Sequence, residues 1–102
     1  MALLDDFKMA RRLSHTATDS QILDLIDSAV LNLKSAGVNT DEFVTYTDSI
    51  AECDDALIKT AILTYVNMHY GIPSNYDDLR QSYIEQRSQL RMSTTYGVFR
   101  NG

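Results

Sequence analysis

Two histidines and one cysteine are the side chains in this sequence with the most direct chemical potential. His69 sits in the stretch AILTYVNMHYG, residues 61–71, among aromatic and aliphatic neighbours. A general base needs an orienting carboxylate and a nucleophile within reach. The nearest acids before it in its segment, Asp54 and Asp55, stand about four helical turns away. A zinc ligand on a helix wants His or Glu three or four positions off, and positions 65, 66, 72 and 73 are Tyr, Val, Ile and Pro. His69 therefore reads as a half-buried residue that hydrogen-bonds near a helix end, where positive charge is favoured. His15, after Arg11 and Arg12 in a polar break, is no better placed.

Cys53 lies between Glu52 and the pair Asp54–Asp55. Surrounding negative charge raises a thiol's pKa, which argues against an activated nucleophile. A lone cysteine also excludes an intrachain disulfide and a cysteine-based metal knuckle. Six acids and no base fall between Asp41 and Asp55, including Asp41, Glu42 and Glu52. The D-x-[DN]-x-[DN]-G calcium loop is absent there, and no glycine occurs between Gly37 and Gly71. This run reads as a solvated face or a surface for a basic partner. Arg80, Arg87 and Arg91 form an opposite stripe, a weak signal for phosphate on an acidic chain. It reads as a solvated face or as a subunit interface that meets the acidic segment of a neighbour. Glycine-rich phosphate loops and the G-x-S-x-G elbow are missing. The expectation is no enzyme, no cofactor and no metal.

The elements that would carry these residues are helical. Asp5 and Asp6 precede Lys8, Arg11 and Arg12, an order that suits the dipole of a helix near 3–13. Thr18 and Gln21 make a T-x-x-Q capping box ahead of Ile22, Leu23, Ile26, Ala29, Val30 and Leu33, predicting a helix near 20–35 that Gly37 ends. Leu57, Ile58, Ala61, Ile62, Tyr65, Val66 and His69 share one face of a third helix near 54–70, stopped by Gly71 and Pro73. Ser74 and Asp77 open a fourth, near 75–91, with Tyr76, Leu79, Tyr83 and Leu90. Phe43, Val44 and Tyr46 fit either a short extended piece or a packed loop. The last stretch, STTYGVFRNG, has aromatics but no period. The expected fold is all-α: a bundle of about four helices over residues 1–92 with an extended C-terminal tail, 93–102.

At 102 residues the chain is one domain with a thin core that invites help from a partner. Its formal charge of −5 and pI near 4.7 give no overall basic footprint for nucleic acid. The charge is polarised: residues 1–60 hold 11 acids against 5 bases, and residues 61–102 hold 3 against 4. The first residues lack the basic region of a signal peptide, and no apolar run approaches the roughly 18–20 residues of a membrane span. A reducing cytoplasm is the expected site of synthesis, with no membrane association.

The layout resembles the head–tail connector, or adaptor, proteins of tailed bacteriophages. The residues that carry the resemblance are DSQILDLIDSAVLNLKSAG, then DDALIKTAILTYVNMHYG, where Ile58-Lys59-Thr60-Ala61-Ile62-Leu63-Thr64-Tyr65-Val66 closes at His69-Tyr70. It covers about residues 3–72, and departs from the family where this chain turns at Gly71-Ile72-Pro73 instead of continuing with polar residues. The resemblance implies a virion protein at the head–tail junction that forms a ring of about a dozen copies beneath the portal. Partners would be the portal protein, downstream head-completion or tail proteins, and DNA that passes without sequence-specific contact. The candidate subunit interface is Asp41, Glu42 and Glu52 on one side and Arg80, Arg87, Arg91, Tyr96, Phe99 and Arg100 on the other. The competing expectation is a small helical DNA-binding or DNA-packaging accessory protein.

Overall fold

In the computed structural model, which describes residues 2–48, 50–71, 73–93 and 95–97, four helices pack around a strip of aliphatic side chains. They are α1 (Leu3–Arg11), α2 (Asp19–Ser35), α3 (Ala56–His69) and α4 (Tyr76–Met92). Each lies within two residues of its expected bounds. Between α2 and α3 the chain adds a single 3-10 turn, Thr40–Glu42, and two strands, β1 (Val44–Thr47) and β2 (Ile50–Cys53). The strands pair antiparallel, with Val44 opposite Cys53 and Thr47 opposite Ile50. The fold is thus mostly helical and not strictly all-α. The hairpin forms because Val44-Thr-Tyr-Thr is a run of β-favouring residues and Asp48 accepts the left-handed φ of 52° that a tight turn needs.

α2 ends in a Schellman motif. Val38 N–H reaches Leu33 C=O at 3.0 Å and Gly37 N–H reaches Lys34 C=O at 3.1 Å, with Gly37 at φ 98°. Val38 and Leu33 are both fully buried, so the turn is sealed by its apolar contact. At the other end the expected capping box does not form. Thr18 stands at the N-cap, but its hydroxyl bonds to Tyr70 Oη at 2.9 Å and leaves the helix end uncapped by side chain. A long-range partner outcompetes a local one.

α3 is the central helix. Ile58, Ala61, Ile62 and Val66 are fully buried on it, against Ile22, Ile26 and Leu33 of α2 and Leu3 and Phe7 of α1. Tyr83 and Leu90 of α4 close the other side. Alternation in the hairpin puts Val44, Ala51 and Cys53 on the same inner face, all buried. Lys59 on α3 and Asp6 on α1 form a half-buried ion pair at 3.5 Å.

Residues 95–97 lie against the folded domain. Gly97 bridges Val38, Asn39 N–H donates to Tyr96 C=O at 2.7 Å, and the Tyr96 ring packs on Phe43 at 4.9 Å between centroids. The residue that receives Tyr96, Phe43 before β1, lies outside the four helices, so helical periodicity does not show it. Val98, Phe99 and Arg100 lie outside the described residues, as do Ser49 and Ile72.

Candidate assembly interface

His69 ends α3 as an exposed residue, its ring tilted against Tyr65 at 4.5 Å and edge-on to Tyr76 at 6.4 Å between centroids. It is more open than its sequence context suggests, because Gly71 turns the chain before α4 covers the helix end. Cys53 is buried, its Sγ 3.5 Å from the carbonyl of Asp55. Burial foremost pushes its thiol pKa up, and the charges of Asp55 and Asp54 add to this against the lowering effect of the backbone bond and Lys59. The pKa rises as expected, but burial outweighs the carboxylates as its cause.

The acidic residues divide by role. Asp41 and Glu42 are exposed on the 3-10 turn, with Asp41 3.3 Å from Lys34. Glu52 is half-buried on β2 and bridges Ala2 through the backbone. Asp55 is occupied internally: its Oδ1 accepts from the N–H of Leu57 and of Ile58, each at 3.0 Å, and caps α3. Its Oδ2 accepts from Tyr96 Oη at 2.9 Å.

The arginine stripe divides likewise. Arg80 and Arg91 are exposed on α4. Arg87 turns inward, donating from Nη1 to Asn32 Oδ1 at 2.9 Å with its guanidinium 5.5 Å from the Tyr83 ring centre. Tyr83 Oη donates to the same Asn32 oxygen, so α4 is tied to α2 by one shared acceptor. Burial, partly offset by Arg87, pushes the Tyr83 pKa up to about 12. Of the candidate interface residues, Asp41, Glu42, Arg80 and Arg91 remain on open surface. Arg87 and Tyr96 are committed largely to their own chain.

Two apolar depressions went unnoticed in the sequence. One lies between α3 and α4, lined by Leu57, Thr60, Gln86, Leu90, Ser93 and Tyr96. The other lies between α2 and β1, lined by Val30, Leu31, Thr40 and Tyr46 and rimmed by Asp27, Lys34 and Asp41. Leu57, expected on the apolar face of the third helix, is 57% exposed because no neighbour covers it, and Leu31, 63% exposed, was not among the positions that periodicity selected on α2.

Exposed charges and open apolar depressions, with no catalytic grouping around His69 or Cys53, are what the described surface offers. The family model described as phage connector protein matches residues 3–97, and the chain belongs to that family. We found no match among curated proteins or among solved structures. Membership gives the protein a structural role of the connector type and makes it a component of the virion. No helix among the described residues is long and apolar enough to cross a membrane.

Proposed function

We propose that the protein forms a closed ring beneath the portal, joins head to tail and extends the channel through which DNA passes. The observation that carries this reading is the family match, which runs unbroken from α1 to Gly97 and so spans the whole folded domain. The division of charge supports it. Asp41 and Glu42 are exposed on the 3-10 turn and Arg91 is exposed on the last turn of α4, beyond that helix's own acids, so a head-to-tail contact between identical copies can bring these opposite signs together. A net charge of −5 also lets DNA slide past, since phosphates gain nothing from the wall. The partners are other copies, the portal protein and a downstream head-completion or tail protein.

Electron microscopy of purified virions and of heads arrested before tail joining tests this. A ring of this chain on the portal vertex is expected in both. Its absence from virions would sink the reading. Tight, steeply salt-dependent DNA binding by the isolated chain, without a ring, would favour a DNA-packaging accessory instead.

A further inference from the structure

Strand β1 has one unused edge. β2 pairs with its inner side, Ala2 bridges the far side of β2, and among the described residues nothing pairs with the outer side of β1. Thr47 and Ile50 flank the two-residue turn and exchange hydrogen bonds, as do Thr45 and Glu52 two positions on. That leaves the N–H and C=O of Tyr46 and of Val44 directed outward. Such an edge is a template for an added strand.

The edge borders the notch between α2 and β1. Leu31 is 63% exposed and Tyr46 49%, so an arriving chain finds apolar side chains beside the free backbone. Thr40 is 1% exposed, lines the notch, and its Oγ1 has no hydrogen-bond partner. A buried hydroxyl left in this state costs free energy until a donor or acceptor reaches it. Asp27 and Asp41 rim the notch, with Lys34 held on Asp41. The fitting ligand is an extended segment carrying apolar side chains and a positive charge.

We propose that β1 and this notch receive residues Val98-Phe99-Arg100 of a second copy, added as a strand to the edge of β1. The inference rests on the ring reading and names its contact. Val98 and Phe99 supply the apolar groups and Arg100 the charge, and no acid follows Glu85 to oppose it. A second copy is the fitting source because the last described residues pass Asn39 at Tyr96 and Val38 at Gly97, antiparallel and so directed away from Thr40.

The test uses the full-length chain with Phe99→Asp, which keeps the receiving edge and disables its own donor segment. A fluorescent peptide of residues 95–102 is titrated into it. Saturable binding is expected, weakened at least tenfold by Tyr46→Pro, which removes an outward N–H while sparing the bonds to β2. Leu31→Glu, at an exposed position where folding is not at stake, is expected to weaken it equally. Absence of saturable binding, or equal binding to both second-site variants, overturns the proposal. Virions that carry a ring while the peptide fails to bind overturn this contact alone. Peptide binding without any ring on the head overturns the connector reading instead.

Discussion

Tyr96 donates its phenolic proton to Asp55 Oδ2 at 2.9 Å across 41 residues of sequence, and the other oxygen of that carboxylate caps α3. The C-terminal segment is thereby coupled to the start of the central helix. Gly97 makes the approach possible: a Cβ there would collide with the carbonyl oxygen of Arg91 and stand 2.7 Å from that of Ser93. Gly97→Ala is expected to lift Tyr96 off Phe43 and lower the melting temperature by several degrees. Asp55→Ala, which removes the cap as well, is expected to cost more, about 1–2 kcal/mol for the cap alone. Calorimetry on the two variants checks the order, and an unperturbed Gly97→Ala protein would refute the coupling.

Alkaline pH should weaken the fold. The Tyr83 hydroxyl has its pKa raised to about 12 from 10, chiefly by burial. Tyr46 is raised by burial and then by Asp27, and Tyr96 chiefly by its bond to Asp55. A group whose folded pKa lies above its unfolded value holds its proton longer in the folded state. The stability it supplies is whole below about pH 10 and is lost as pH rises towards the folded value, about 12 for Tyr83. Denaturant midpoints measured from pH 8 to 11.5 should fall above pH 10, and Tyr83→Phe should flatten the fall.

Ala61→Asp should unfold the domain. Ala61 is fully buried on α3 among Ile58, Ile62 and Val66. A carboxylate there has no partner, and burial without one costs several kcal/mol against a total stability of roughly 5–15. Loss of the helical circular dichroism signal at 25 °C is the expected result.

The helices were legible in the sequence because their apolar positions repeat at the helical period and glycine or proline closes α2 and α3. Periodicity selects the buried residues Ile58, Ala61, Ile62 and Val66 of α3, but also Leu57 and His69, which are exposed at its two ends. What could not be read depends on contacts between distant residues. Thr18 has the spacing of a capping box, yet Tyr70 takes its hydroxyl. Val44–Thr47 is too short for its period to decide strand against loop until Ala51 and Cys53 pack beside it. Tyr96 stands in an aperiodic stretch, and only the positions of Phe43 and Asp55 make it structural. At the interface, an arginine's charge is visible in sequence and its direction is not, which is why Arg87 and Arg91 looked alike.

That difference yields the last prediction. Arg87→Glu and Arg91→Glu change charge equally, four residues apart on one helix. Arg87 donates to Asn32 Oδ1, the acceptor that Tyr83 also uses, so a carboxylate at position 87 would face that oxygen with no proton to give. The variant loses a charge-assisted bond and gains a repulsive contact, and should lose about 1–3 kcal/mol of stability with loosened α4 packing. Arg91 is exposed on the last turn of α4, and its reversal removes only a favourable interaction with the helix dipole, about 0.3–1 kcal/mol. Assembly should show the opposite weighting once stability is matched. Arg91→Glu, folded and soluble, should reduce ring formation on portal-bearing heads, because the exposed charge is the one free to meet Asp41 or Glu42 of a neighbour. Asp41→Lys in the same chain should restore part of the loss. Denaturant melts of the two single variants, followed by ring occupancy scored by microscopy for all three, decide it. If Arg91→Glu assembles as well as the wild type while Arg87→Glu is equally stable, both assignments on α4 are wrong.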